Sequence, residues 1–472
     1  MKWETIGNIL SMAVVAISGV VMARHIAPTY FGLIAIYSAI VLAAGQLSSL
    51  GFGTAIIQNH DQDDDTHSSV FYVVVSFSVL AFVILGLATD FFIKFYGRPN
   101  YQLVFSIIAL RIILDKLVII HSARCVINLD LKFINIVKLT KDVGSAIVGL
   151  ALVFAGYELV ALATQLFVQS FIRFFMFAVW RPWFPKNIFN RKKLKKLFQF
   201  GVYIYLAGLL NNVYKAIQST ILGANYSAHI YAQINKARVA NVIVNQNAEG
   251  YFHKIIFPYL SGLKEENHLF QKQYFNSMKL VSFLSCFVGG VLFFVGSDLV
   301  LLIYGDQWHE AARWIKIICL NLIFIPIIMA MNVGVLSKGF AKEIFVLSIM
   351  MKILSATILI SSFYVTVPQF LILAVIFGFI ATLIQILFNS YYLQFSISKH
   401  FMSIQSAMIS FMAGLITTIV FTTYGLSNHF VINALIFTSL FVLTLFYFEK
   451  TFILKIVNRV LLHFKFSQRF KI

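Results

Sequence analysis

Asn235-Lys236-Ala237-Arg238-Val239-Ala240-Asn241-Val242-Ile243-Val244-Asn245-Gln246-Asn247-Ala248-Glu249 scores poorly as a membrane span on hydropathy, yet whether it crosses decides the topology of everything after it. The rest of the chain leaves no doubt about its medium. Of 472 residues, 60% are hydrophobic and 12% charged, against roughly 45–50% and 25% in soluble domains. A soluble fold is excluded. Apolar runs place segments at 3–23, 32–57, 69–93, 102–127, 134–156, 158–180, 197–222, 229–260, 275–303, 311–336, 344–363, 368–394, 404–424 and 430–449, with about 20 apolar residues needed per crossing. The expected fold is an all-α polytopic membrane protein of about 14 transmembrane helices, with no room for a soluble catalytic domain. The N-terminal run shows no small-residue cleavage signal before Arg24 and reads as a retained first helix.

Loop charge tests the eighth segment independently, because Lys and Arg in short loops face the cytoplasm. With 229–260 counted as a crossing, connections on the N-terminal side hold about 22 Lys and Arg, including seven in 181–196 and six from Lys450 onward. The opposite side holds about 4: Arg24, Lys94, Arg98 and Arg313. Removing the eighth helix would put the basic tail outside. The segment is therefore kept, and both termini are expected in the cytoplasm. The run Arg191-Lys192-Lys193-Leu194-Lys195-Lys196 divides the chain. This gives an N-terminal lobe at 1–180, a basic linker at 181–196, a C-terminal lobe at 197–394, two extra helices at 395–449 and a basic tail at 450–472. The tail reads either as an interfacial amphipathic helix on anionic lipid or as a topology anchor.

Polar side chains within the spans fall on helical stripes. A charge at mid-bilayer costs about 2.5–3.5 kcal/mol on insertion scales, so such residues turn toward protein or a wet cavity. Gln165, Gln169 and Arg173 share a face of segment 6; Asn211, Lys215 and Gln218, with Asn212 beside them, lie on segment 7. Lys236, Arg238, Asn241, Asn245 and Glu249 lie on segment 8, and Glu4, Asn8, Ser11 and Ser18 on segment 1. The functional reading is a cationic aqueous path. The structural alternatives are interhelical hydrogen bonding by the amides, an Arg111–Asp115 ion pair four residues apart on segment 4, and snorkelling of Lys138, Lys141 and Asp142 from segment 5. Arg173, Lys215 and Arg238 have no acidic partner at helical spacing.

His60-Asp61-Gln62-Asp63-Asp64-Asp65-Thr66-His67 opens like a calcium loop, then fails with Thr66 where Gly is needed and Tyr72 where a bidentate Glu should stand. It reads as a solvated cytoplasmic loop capping the third helix. Pro326 and Pro258 are expected to bend segments 10 and 8. Cys125, Cys286 and Cys319 all fall in apolar stretches and read as buried thiols, neither disulfides nor metal ligands. No nucleotide loop, Gly-x-Ser-x-Gly elbow or His-Glu-x-x-His occurs. No catalytic residue, metal, cofactor or nucleic-acid partner is expected, and energy from ATP would need another chain.

Ala23-Arg24-His25-Ile26-Ala27-Pro28-Thr29-Tyr30-Phe31-Gly32-Leu33 resembles the "AR-x-L-x-P-x-x-FG" signature of Wzx-type lipid-linked polysaccharide flippases, in the branch similar to the colanic acid exporter. Leu50-Gly51-Phe52-Gly53 through Gln58, Gly97-Arg98-Pro99, Leu131-Lys132-Phe133, Arg238-Val239-Ala240-Asn241, Phe257-Pro258-Tyr259-Leu260-Ser261 and Tyr304-Gly305-Asp306-Gln307-Trp308 resemble further family motifs in order. The resemblance spans roughly residues 3 to 340. It implies the multidrug/oligosaccharidyl-lipid/polysaccharide exporter fold: two six-helix lobes in a V around a central cavity, plus two helices. It also implies transport of undecaprenyl-diphosphate-linked oligosaccharide across a prokaryotic cytoplasmic (inner) membrane, with membrane lipid, a polysaccharide polymerase and chain-length machinery as partners.

On that reading Arg173, Lys215, Lys236 and Arg238 neutralise the diphosphate or acidic sugars. Asn211, Asn212, Gln218, Asn241 and Asn245 hydrogen-bond hydroxyls while the prenyl tail stays in lipid. Relatives often carry an acidic residue in the "N-L-D-N" motif of the seventh helix where this chain places Gln218, which leaves Asp115, Asp142 and Glu249 as candidates for ion coupling. The alternative within the superfamily is a drug or organic-cation antiporter, disfavoured by a core more basic than acidic. An enzyme such as a polymerase or ligase is disfavoured by outward connections of about ten residues or fewer.

Overall fold

A computed structural model of the chain describes residues 2–59, 63–96, 101–424 and 429–469. His60, Asp61 and Gln62 of the acidic run, the Gly97-Arg98-Pro99 motif, and the side chains of Glu4 and of the tail beyond Leu454 lie outside the described residues.

Every expected segment is helical. In chain order the helices are α1 (Lys2–His25), α2 (Pro28–Ser49), α3 (Phe52–Asn59), α4 (Asp64–Phe95), α5 (Gln102–Leu117), α6 (Ile119–Ile127), α7 (Leu131–Phe154), α8 (Glu158–Trp180), α9 (Arg191–Tyr226) and α10 (Ala228–Ala237). They continue as α11 (Val239–Tyr251), α12 (Phe257–Gly262), α13 (Asn267–Tyr304), α14 (His309–Ile318), α15 (Asn321–Ser337), α16 (Ala341–Ser361), α17 (Val367–Leu393), α18 (Ile397–Thr423) and α19 (Phe430–Arg469). Among the described residues nine helices are long and apolar enough to cross a bilayer, and the bent pair α14–α15 would make a tenth. The segments outside that set, α5–α6, α7, α9 and α10–α12, are those broken by turns or loaded with polar groups. Leu87, Phe91, Leu443 and Tyr447 are among many large side chains left exposed, a surface that only lipid covers without penalty. The chain is a multi-pass membrane protein.

The breaks have local causes. Leu50 and Gly51 take positive φ between α2 and α3, and a Cβ on Gly51 would sit 2.6 Å from Cβ of Tyr205, so both backbone and neighbour require glycine there. Pro258 lacks the N–H that a regular helix would use, and the chain widens into a π turn, Phe252–Ile256, just before it. The α14–α15 pair bends by 51° between Ile318 and Asn321, a turn and a half before Pro326. The proline expected to mark that bend lies inside α15.

Contacts divide the chain into two compact units, Met1–Gln233 with Ile303–Gln307, and Ile234–Leu302 with Trp308–Ile472. The helix expected to open the second lobe, α9, falls in the first unit because it packs along α2 and α3. In the first unit, Phe52, Ile56, Val70, Val74 and Ile120 form a core with Leu194 and Leu197 of α9. In the second, Tyr274, Met278 and Phe270 pack with Met331, Ile386 and Phe395, and Phe437 packs with Phe283, Phe411 and Phe441.

Loop contacts test the expected sidedness. Two connections assigned to the outward side and the start of the eighth segment meet in the first unit: Arg24 Nε donates to the Ile303 carbonyl at 2.9 Å, Gln307 Nε2 to that of Ala23, and Gln233 Nε2 to that of Gln307 at 2.7 Å. In the second unit three connections assigned inward meet, where Lys338 Nζ binds the Lys264 carbonyl and Asn267 Oδ1 and Lys399 Nζ binds Gln271 Oε1. This agrees with α10–α12 crossing.

Candidate functional site

The polar stripes fall into distinct settings. In the first unit α7 binds α1: Lys138 Nζ donates to Asn8 Oδ1 at 2.7 Å, and the Asp142 carboxylate accepts from the Ser11 hydroxyl while pairing with Lys141 at 2.7 Å. Asp142 is buried. These groups, expected to snorkel, are tied into the α1–α7 contact. On α5 both members of the expected Arg111–Asp115 pair also reach α8. Arg111 Nε donates to Ser170 Oγ at 3.2 Å, and Asp115 lies 3.8 Å from Arg173. Arg173 thus has an acidic partner from a neighbouring helix, which spacing along one helix does not reveal.

On α9, Asn211 and Lys215 are exposed, and Asn212 and Gln218 half-buried. Among the described residues no acidic side chain reaches Lys215, and no hydrogen bond joins this face to Arg173. Since α9 runs 36 residues, about 54 Å, and Lys215 lies 11 residues from its outward end, this ammonium falls at bilayer depth.

In the second unit Lys236 stacks over the Trp308 ring at 4.8 Å, and Arg238 stands at the break between α10 and α11. Asn241 is buried and its Nδ2 donates to the Ile318 carbonyl at 2.8 Å. That carbonyl is at the end of α14, where the bend frees it from its helical partner. Asn241 thus caps a broken helix with its amide nitrogen, while its Oδ1 and that of Asn245 are buried without a hydrogen-bond donor among the described residues. Glu249 is exposed.

Two arrangements escape sequence reading. A buried chain runs through the second unit: Gln385 Nε2 donates to Asn332 Oδ1 and to Asn389 Oδ1, and Asn389 Nδ2 donates to the Tyr274 hydroxyl and the Met331 carbonyl. The Tyr274 hydroxyl meets His400 Nε2 at 3.2 Å. The second arrangement joins the acidic run to the basic linker. Asp63 caps α4 as expected, accepting from the Thr66 amide. The run is not merely solvated, however: Asp64 pairs with Arg124 at 2.8 Å and Lys186 at 3.4 Å, and Lys193 binds Asp63 and lies 3.8 Å from Asp65. The Lys193 hydrogen bond holds the Asp63 carboxyl at about 2, below its ordinary value. Among the described residues no cluster of His, Cys, Asp or Glu is arranged to hold a metal ion, and Cys125, Cys286 and Cys319 are buried and free.

The model of a family described as "Polysaccharide biosynthesis protein" matches residues 21–313. Teichuronic acid biosynthesis protein TuaB of Bacillus subtilis (strain 168) is 22% identical over 299 residues, 63% of this chain and 62% of TuaB. Lipopolysaccharide biosynthesis protein WzxC of Escherichia coli (strain K12) is 18% identical over 324 residues, 67% of this chain and 65% of WzxC. The chain thus spans somewhat under two thirds of the length of these relatives. Among solved structures, the inward closed conformation of the lipid II flippase MurJ superposes with a TM-score of 0.71 at 14% identity, covering 96% of this chain and 100% of that one. The chain shares the helical fold of that solved structure and belongs to the polysaccharide biosynthesis protein family.

Proposed function

We propose that this protein is a flippase that carries undecaprenyl-diphosphate-linked oligosaccharide from the cytoplasmic to the outer leaflet of a prokaryotic cytoplasmic membrane, acting as a transporter and not as an enzyme. The observation that carries the proposal is Lys215: an exposed ammonium at bilayer depth on α9, beside Asn211, with no acidic neighbour among the described residues. Intramembrane charge of this kind belongs in a wet path, and phosphate groups are common partners of ammonium and guanidinium groups. Family membership and the MurJ-like fold support the same reading. Arg238 and Lys236 of the second unit are assigned to the anionic head group, with Asn211, Asn212, Gln218 and Asn245 to sugar hydroxyls. Asp142, Asp115 and Glu249 remain the candidates for ion coupling; of the three, Asp142 is the buried one, held by Lys141 and Ser11.

The test is deletion of the chain in its host, followed by extraction and mass analysis of lipid-linked oligosaccharide. Accumulation with loss of surface polymer, complemented by wild type but not by Lys215→Ala or Arg238→Ala present at normal membrane levels, is expected. No accumulation, with altered sensitivity to cationic drugs, would move the assignment to an antiporter.

A further inference from the structure

The basic linker and the acidic run lie at the end of the first unit that holds the starts of α4 and α9, and their geometry is more specific than charge attraction requires. Five of the first six residues of α9 are Arg or Lys, at the helix end where the backbone dipole disfavours cations. The positive-inside rule accounts for their number. It does not account for how they are held. Asn190 caps α9 through the Lys193 amide at 3.1 Å. The Asn190 amide is itself bound by Ser69 Oγ, and the Lys186 amide by Ser68 Oγ, each at 2.8 Å. Both serines are fully buried. Trp183 Nε1 donates to Asp64 at 3.3 Å, its ring edge-on to His67, Phe71 and His121. Lys193 and Lys186 then close onto Asp63, Asp64 and Asp65.

We propose that Asp64 and Lys193 are positioning residues for the substrate path, seating the start of α9 so that Lys215 and Asn211 keep their height and facing; this rests on the flippase reading for what that face binds. Along its length α9 meets α2 through glycines: a Cβ on Gly223 would lie 2.2 Å from Ile36 Cδ1, and one on Gly208 3.2 Å from Gln46 Nε2. Ile36 fills the Gly223 notch and Tyr205 packs on Gly51, which fixes the separation of α9 from its neighbours farther along. The seat adds a polar stop at the start of the helix. Lys215 is 22 residues beyond Lys193 on one continuous helix, about 33 Å away, and a slip of one residue moves it about 1.5 Å along the axis and about 100° around it. Exposed ion pairs add little stability singly, so the seat acts through geometry.

The test uses a chain whose three cysteines are replaced by serine, carrying Lys215→Cys, and reads the rate of labelling by a membrane-impermeant maleimide. Asp64→Asn or Lys193→Ala is expected to change that rate by roughly threefold or more, the scale of one lost ion pair. Asp64→Glu and Lys193→Arg are expected to restore it. In the Lys215-containing chain the same substitutions lower oligosaccharide export without changing membrane level, again with conservative rescue. An unchanged labelling rate in both disruptive variants overturns the positioning role, whatever export does. A shifted labelling rate in a chain that exports nothing even as wild type upholds the seat and overturns the flippase reading instead.

Discussion

Gly32→Ala separates packing from propensity at a single methyl group. Gly32 lies in α2 within the Phe31-Gly32 pair, and a Cβ there would fall 1.8 Å from the carbonyl oxygen of Ala228 and 2.5 Å from its carbonyl carbon. Real Cβ contacts do not come within 3.0 Å, so α2 and the start of α10 must part by at least 1.2 Å, the difference of those two distances. Both partners are backbone, so no rotamer change relieves the clash. Overpacking of this kind costs about 1–3 kcal/mol, here toward the upper end, against a gain of roughly 0.5–1 kcal/mol for replacing glycine by alanine within a helix. The net expectation is a loss of about 1–2 kcal/mol. Gly86 of α4 is the control, since a Cβ there meets nothing within 4 Å. Apparent melting midpoints in detergent should fall by a few degrees for Gly32→Ala and stay level or rise for Gly86→Ala. Equal midpoints for the two variants would refute the close approach of α2 to Ala228.

Asn389→Leu should be destabilising in the same assay, because it removes one hydrogen bond each from the Tyr274 hydroxyl, the Met331 carbonyl and Gln385 at about 0.5–1.5 kcal/mol per bond; Tyr274→Phe should cost less. Lys279→Met should lower the midpoint more than Lys193→Ala, since Glu449, its partner at 2.6 Å, is 13% exposed while Asp63 is 41% exposed, and Glu449→Leu added to Lys279→Met should recover the loss. For the seat, Asp63 has its carboxyl held at about 2, below the roughly 3.9 of an unfolded chain. Its contribution is therefore complete above about pH 4 and lost as pH falls through about 2. The difference in melting midpoint between wild type and Asp63→Asn should stay constant from about pH 8 to 5 and narrow only below about 4; a difference lost near neutrality would contradict the ion-pair account.

Much of the fold is legible in the sequence because the bilayer imposes simple rules. Loop charges mark the least apolar segment, around Asn241 and Asn245, as a crossing, and the contacts of Gln307 with Ala23 and Gln233 agree with that sidedness. What sequence cannot reveal is which helices meet. Asp115 is four residues from Arg111, yet tertiary packing turns it toward Arg173 on α8. Asn241 shares a stripe with Arg238, yet its amide nitrogen caps a carbonyl freed by the bend at Ile318. Gln385, Asn389, Tyr274 and His400 are separately unremarkable in sequence and become a network only once α13, α15, α17 and α18 are packed. The acidic run and the basic linker were each visible, but their pairing spans more than a hundred residues of chain. The division into units also departs from the position of the charge run, because α9 follows its packing partner α2.

The central claim is movement of a lipid diphosphate, and it is tested most directly in vesicles holding the purified protein. Fluorescent polyprenyl-diphosphate-linked oligosaccharide is added to the outer leaflet alone, and its protection from an impermeant pyrophosphatase is followed over time. The account predicts that protection grows with wild type and stays at the protein-free level with Lys215→Ala. Protection no faster with wild type than in protein-free vesicles, or undiminished in Lys215→Ala, would contradict it.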